Sequence, residues 1–457
     1  MTGPRLETLE GWGMSCRASS WVYRPRAAEQ VAEAVRDARD RGLTIAHRGA
    51  GRSYGDAALN EGGAVLDLSG LDRILDFDAE RGVVRAEAGV TVGRLWRHVL
   101  AAGWWPPVVP GTMEVTLGGA AAMNIHGKNA FRAGPFGEHV EALTLLDADG
   151  DVFPFGCEAP RLRDAIGAQG LNGTILDVTV RLKRVASGYL EVVPAPVGSL
   201  REALEELDRA ARESDYAVGW LDAFATGRAL GRGVLHRANH LPPDHSLAGR
   251  GLDPSEQRLP SRILGAMPKR HVWRALKPFN NGPGMRAVNL AKYLASLAQG
   301  RRPYVQTHAA FHFLLDYVPD WKLVYRPRGL VQYQFFVPEE HAERVLGEAL
   351  RLQHRAGVAS HLAVLKRHRA DDFAASYAVD GFSLALDFPV RAATGGGPAG
   401  PAGATALDAL LRSFDALQRE AGGRIYAAKD SSSVGRLPRV REPAYGTNLA
   451  RRWEAGA

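Results

Sequence analysis

Apolar positions along the chain recur with two different periods. Ala27, Val31, Ala34, Val35 and Ala38 share one helical stripe and Gly42 follows as a terminator, so Ala27–Arg41 reads as a helix. Leu43–Ala46 is a short apolar run, and Ala64–Leu68, Gly82–Ala88, Val140–Leu146 and Gly173–Leu182 carry strand patterns bounded by turn residues. Thr91 is placed to cap a short helix bearing Leu95 and Val99. The pattern changes near Ala186. Ser199-Leu200-Arg201-Glu202 has the form of a capping box, with Leu200, Ala203, Leu204 and Leu207 facing inward. Further strands are expected at Leu330–Val337, His361–Leu365 and Phe382–Val390, and helices at Glu339–Leu352 and Ala404–Glu420. Strands and helices mixed in this way give an α+β fold. Arg237–Arg302 has few clean periods and reads as irregular, and Gly395–Gly403 is a low-complexity loop.

Composition narrows the class without naming it. The chain has 457 residues, enough for two or three domains, and its 46% hydrophobic and 23% charged residues are those of a globular protein. It has no apolar run of eighteen residues and no apolar leader, so a cytoplasmic protein with peripheral membrane contact at most is expected. Cys16 and Cys157 cannot build a disulfide framework, and no Cys/His spacing resembles a metal site. The net charge of +7 comes from Arg interleaved with Asp and Glu, as in Val35–Asp40, which reads as a solvated surface and not as a nucleic-acid site.

Two glycine-rich turns carry the chemistry. The first is Arg48-Gly49-Ala50-Gly51-Arg52-Ser53, behind the Leu43–Ala46 run. The second, some sixty residues on, is Gly111-Thr112 with Thr116-Leu117-Gly118-Gly119. Successive main-chain N–H groups in tight turns form concave anion nests, and glycine admits the φ values and close approach they need. Two such turns fit the two walls of a dinucleotide pyrophosphate site. Neither matches a Rossmann fingerprint or a P-loop. Downstream, Gln332 and Gln334 share one face of a strand, where two amides suit sugar hydroxyls. Lys429 lies on a late strand in an Arg-dominated chain, and His126 and Lys128 follow the second glycine turn.

Taken together, Gly51–Asp56 (Gly-Arg-Ser-Tyr-Gly-Asp), Pro110-Gly111-Thr112, Thr116–Gly119 and Ile125-His126-Gly127-Lys128-Asn129 resemble the vanillyl-alcohol-oxidase (PCMH-type) superfamily of FAD enzymes. Within it the chain is most similar to the flavoprotein oxidase subunits of decaprenylphosphoryl-β-D-ribose 2′-epimerases. Gly167–Gly173, Gln332-Tyr333-Gln334-Phe335, Asp387-Phe388-Pro389 and Arg424–Ser431 extend the resemblance. It implies an FAD-binding domain over 1–186, a substrate domain with an antiparallel sheet and flanking helices over 187–418, and a return to the FAD domain and active site over 419–457. It implies FAD contacts at both turns and at Tyr54, Asn124, His126, Ile175 and Tyr426. Lys429, Tyr54, His126 and Lys128 would be catalytic, and Gln332, Gln334, Tyr426 and Asn129 would bind substrate.

The implied reaction is oxidation of a ribose C2′-type hydroxyl to a ketone on a lipid-phosphate-linked sugar. A separate NAD(P)H-dependent ketoreductase would complete an epimerisation, because this chain has no nicotinamide fingerprint. Related alditol, aldonolactone or nucleoside oxidases are the alternative, and a basic binding protein without catalysis is the rival. Members with attached FAD often place a His where this chain has Arg52, and no Cys lies in the second turn, so non-covalent FAD is expected. Mycobacterial members of the family carry a Cys where this chain has Ala385.

Overall fold

Three sheets organise the chain. The computed structural model describes residues 3–259, 261–263, 267–390, 405–429 and 443–455, and the Gly395–Gly403 loop lies outside them. The first sheet has the order Arg5–Glu10, Arg17–Tyr23, Ala64–Asp67, Ile45–Arg48, with the last three strands parallel to one another. The helix Ala28–Asp40 covers it, burying Val31, Ala34, Val35 and Ala38 as their spacing predicts. The second sheet is antiparallel, in the order Ile74–Asp78, Val83–Glu87, Thr174–Arg181, Val140–Leu146, Val152–Gly156. Thr91 accepts a hydrogen bond from Arg94 N and starts the helix Val92–Val99.

The third sheet has eight strands, all antiparallel, and runs from Tyr304–Thr307 at one edge to Arg424–Ile425 at the other. Strand alternation gives it two unlike faces. Tyr333, Phe335, Val337, Leu365, Leu384, Leu386 and Phe388 point to one side and are fully buried against the helices Leu200–Glu213, Glu339–Arg355 and Ala406–Glu420. Each such side chain stabilises the fold by about 1.5–3 kcal/mol. Gln332, Gln334, Val364, Lys366 and Ala385 alternate with them and line the cavity they share with the glycine turns.

Some expectations need correction. Arg237–Arg302 is not irregular throughout: the strand Gly233–His240 runs into it, and the 18-residue helix Gly282–Gln299 lies within it. Leu290, Ala291, Leu294, Leu297 and Ala298 do recur at helical spacing, but they face outward and the buried residues are Asn289 and Ser296; the Gly282-Pro283-Gly284 start and the surrounding Pro, Gly, Arg and Asn masked the pattern. Ser199 caps its helix by accepting from Glu202 N, but Glu202 accepts from Gly198 N and not from Ser199 N, so only half of the capping box forms. The strand placed at His361–Leu365 spans Leu362–His368.

Candidate active site

The strand Ile45–Arg48 delivers the chain into the first glycine turn, where Gly51 has φ +61°. The N–H groups of Ala50, Gly51, Arg52 and Ser53 donate to no acceptor among the described residues. Four consecutive open donors are what an anion nest requires. Gly49 brings this turn against the second one: a Cβ there would sit 2.2 Å from Thr116 Oγ1.

The second turn works differently from the expected nest. Its later amides are already used, Gly118 N donating to Ala88 O at 2.8 Å and Gly119 N to Thr116 Oγ1 at 3.3 Å, whereas Gly111 N and Thr112 N donate to no acceptor among the described residues. Gly118 is needed for close packing, since a Cβ there would lie 2.7 Å from Ala88 Cβ. Thr112 Oγ1 donates to Asp316 Oδ1 and Met113 N to Asp316 Oδ2, both at 2.7 Å, which ties the turn to the segment Leu314–Asp316. Gly118→Asp is therefore expected to reduce folded yield and lower Tm before any effect on an anion. A thermal melt of the purified variant checks this.

Both turns open on one cavity of about 540 Å³. Gly49, Ala50, Gly51, Arg52, Ser53, Tyr54, Gly111, Thr112, Thr116, Gly118, Gly119, His126, Lys128, Ile175, Gln332, Gln334, Tyr426 and Lys429 all line it. Arg48, Asn124 and Asn129 do not. The Arg48 guanidinium donates to Glu10 O at 3.1 Å, Asn124 Oδ1 accepts from Gly137 N at 2.8 Å, and Asn129 Nδ2 donates to Pro107 O at 2.8 Å. The C-terminal return closes the cavity. Tyr54 N donates to Ala428 O at 3.0 Å, and Lys429 Nζ sits 4.0 Å from the centre of the Tyr54 ring.

A polar network lies across the cavity from the nest. Gln334 Nε2 is 3.1 Å from His126 Nε2, and Lys366 Nζ is 3.3 Å from His126 Nδ1. Gln334 also reaches Ser383 Oγ at 3.3 Å, which lies 2.8 Å from His368 Nε2. Burial holds His126 well below its ordinary pKa, with Lys366, His368 and Lys429 adding to the effect. Lys366 falls to about 7, through burial first and the charge of Lys429 second. Asp387, which accepts from Gln332, is raised to about 6 by burial. Lys128 is also depressed by burial, but its ammonium is directed at the carbonyls of Phe311 and His312, at the end of the helix His308–His312.

Lys366 was missed because the strand reading stopped at Leu365. Extending the alternation Leu362, Val364 by one step puts Lys366 on the cavity face. Trp220, His236, Lys292 and Ala385 also line the cavity, and no sequence motif marked the first three.

The FAD binding domain family matches residues 19–156. The chain is 31% identical over 432 residues to decaprenylphosphoryl-β-D-ribose oxidase of Mycolicibacterium smegmatis, covering 93% of this chain and 89% of that one. It is 29% identical to L-gulonolactone oxidase of Mus musculus over 46% of this chain and 47% of that one. It is also 29% identical to a probable mitochondrial D-lactate dehydrogenase of Danio rerio over 39% of this chain and 38% of that one. The protein is an FAD-dependent oxidoreductase of the class that acts on alcohol groups. Within that class it belongs to the decaprenylphosphoryl-β-D-ribose oxidase family of the vanillyl-alcohol-oxidase superfamily.

The residues present fit FAD. The open amides of Ala50–Ser53 suit a pyrophosphate. Arg52 Nε and Gln169 Oε1, on cavity-lining residues, are buried with no partner among the described residues, as expected where a polar ligand completes the bonding. Among the described residues, no helix is long and apolar enough to cross a membrane.

Proposed function

We propose that the protein oxidises a ribose C2′-type secondary hydroxyl of a lipid-phosphate-linked sugar to a ketone, with FAD held non-covalently. The observation that carries this reading is the placement of Gln334, His126 and Lys366 across one cavity from the open amides of Ala50–Ser53. The relative's name supplies the ribose, and a separate NAD(P)H-dependent ketoreductase would consume the ketone. The division into an FAD part (1–186), a substrate part (187–418) and a C-terminal return (419–457) belongs to the same proposal. The return is anchored to both parts. Arg424–Ile425 pairs with Leu330–Pro338, Tyr445 makes a parallel bridge with Ile45, and Asn448 N donates to Leu59 O.

Ala50–Ser53 would hold the pyrophosphate, with Thr116, Gly119 and Ile175 beside the rest of the cofactor. Bound FAD supplies the acceptor for the hydride that leaves the carbinol carbon. The chain's own residues handle the proton. Neutral Lys366, an amine with a pKa of about 7, takes the hydroxyl proton on its lone pair and donates an N–H to His126 Nδ1, 3.3 Å away. The imidazole then carries its hydrogen on Nε2, toward which the Gln334 amide turns its oxygen. Gln332 and Gln334 would orient the sugar hydroxyls, and the Lys429 ammonium would favour developing alkoxide. Lys128 and Tyr54 would shape the pocket, and Tyr426, packed 5.2 Å from the His126 ring, would border the sugar.

The rate of flavin bleaching is expected to rise as pH passes upward through about 7, where Lys366 loses its proton. Lys366→Met removes that limb and slows bleaching by about 10²-fold or more. The same group makes stability rise with pH between about 7 and its ordinary 10.5, because the unfolded chain there binds a proton the folded one lacks. A pH-independent rate in the wild type counts against Lys366 as base.

The substrate is tested by anaerobic bleaching with a short polyprenylphosphoryl ribose against free alditols, aldonolactones and nucleosides. Bleaching by the phospholipid-linked ribose alone is expected. Preference for a free polyol or nucleoside replaces this reading with the alternative oxidases. Ala385 lines the cavity between Gln334 and Val364, so inhibitors that capture a thiol at this position should leave no adduct. Ala385→Cys should gain one, located by peptide mass mapping apart from the exposed Cys157.

A further inference from the structure

The basic excess of the chain is not dispersed. The 59 residues Gln257–Leu315 contain ten of the 57 Lys and Arg and none of the 50 Asp and Glu, so the rest of the chain is slightly acidic. Arg301 is paired, with Glu206. Seven others present exposed charge and join no ion pair among the described residues, Arg274, Lys277, Arg286 and Arg302 among them, while the Lys292 ammonium turns inward onto the Trp220 ring. The same stretch holds nine of the thirteen exposed large apolar side chains among the described residues, from Met267 to Leu314.

The helix Gly282–Gln299 concentrates both features and is inverted relative to a helix folded for water. Its buried residues are Asn289 and Ser296, seven apart on one stripe. Leu290, Leu294 and Leu297 lie on the opposite side at 40%, 54% and 49% exposure, with Val288 at 37%. Alanines at 287, 291, 295 and 298 fill the rest of that side, and all are exposed. At 100° per residue the outward half carries no polar side chain; Arg286 flanks it on one side, while on the other Lys292 turns its ammonium inward over the Trp220 ring, 4.1 Å from its centroid. An apolar face edged by cations is the form of an interfacial membrane helix.

We propose that this face docks the protein peripherally on an anionic lipid bilayer. Leu290, Leu294 and Leu297 would enter the acyl boundary, with the unpaired cations against the headgroups. A second copy of the chain would set like charge against like charge, which disfavours self-association through this face. Lys292 and the exposed Leu314 also line the cavity, so the docked face would border its mouth. Docking does not depend on which sugar is oxidised; delivery of a lipid-linked substrate across this rim rests on the preceding reading.

The test is co-sedimentation of the FAD-loaded protein with phosphatidylcholine vesicles containing about 30% phosphatidylglycerol, at low salt, against phosphatidylcholine alone. The expected result is binding to the anionic vesicles that weakens with salt. Leu290→Ser/Leu294→Ser/Leu297→Ser should weaken it about tenfold or more, while flavin content and bleaching by a water-soluble short-chain substrate stay as in the wild type. Lys277→Gln/Arg286→Gln should erode the preference for anionic lipid. No binding to anionic vesicles overturns the proposal and leaves the face to an acidic protein partner. Undiminished binding by the folded, flavin-loaded triple-serine variant overturns it as well. Failure of the soluble substrate with intact vesicle binding counts against the sugar reading alone.

Discussion

Lys429→Ala should remain yellow and bleach at least about 10²-fold more slowly with substrate. The Lys429 ammonium lines the cavity, 4.0 Å from the Tyr54 ring, and does not belong to the amide nest, so flavin content should hold. Its loss acts in two ways. It removes a cation that would favour a developing alkoxide. It also removes a positive charge that depresses Lys366, so Lys366 gains proton affinity and is more protonated near neutrality. The rising limb of the pH–rate profile should therefore move to higher pH in the variant. A merely structural role would not move that limb. A Lys429→Ala enzyme that bleaches at the wild-type rate would falsify the assignment.

Gly49→Val should cost the protein its FAD. Even the first side-chain carbon would lie 2.2 Å from Thr116 Oγ1, and 3.1–3.2 Å from the other Thr116 side-chain atoms. Thr116 cannot move away freely, because its hydroxyl caps the helix Leu117–Ala122 by accepting from Gly119 N. Relief must come from the first turn, which displaces the open amides of Ala50–Ser53. Lost cap and strain together are expected to cost about 1–3 kcal/mol of stability. Flavin retention, read from the ratio of visible to protein absorbance, should fall at least about tenfold. Full retention at wild-type Tm would show that the two turns do not define the nest.

Much of this arrangement was legible because local chemistry and tertiary role coincide. Gly49–Ser53 announce an unusual turn, and Gln332 and Gln334 announce a polar face on a strand, through composition and period alone. At the second turn Gly111 and Thr112 keep open amides, but Gly118 and Gly119 do not. Glycines for a nest and glycines for close packing look alike in sequence, and only Ala88 beneath Gly118 separates them. Lys366 escaped because a strand end is set by its ladder partners, here Ser383 across from it, and not by its own residues. The helix Gly282–Gln299 escaped although Leu290, Leu294 and Leu297 recur at helical spacing, because it opens on Gly-Pro-Gly within a stretch rich in Pro, Gly, Arg and Asn that reads as loop. Asn124 and Asn129 sit within the right motif, yet they serve backbone groups at Gly137 and Pro107, and adjacency in sequence could not tell support from contact.

A crystal structure of the FAD-loaded protein tests the central claim most directly. The expected result places pyrophosphate oxygens within hydrogen-bonding distance of the N–H groups of Ala50, Gly51, Arg52 and Ser53. The redox ring should lie between that turn and the Gln334–His126–Lys366 face. Pyrophosphate bound elsewhere in the chain, with those four amides satisfied by the protein itself, would contradict the account.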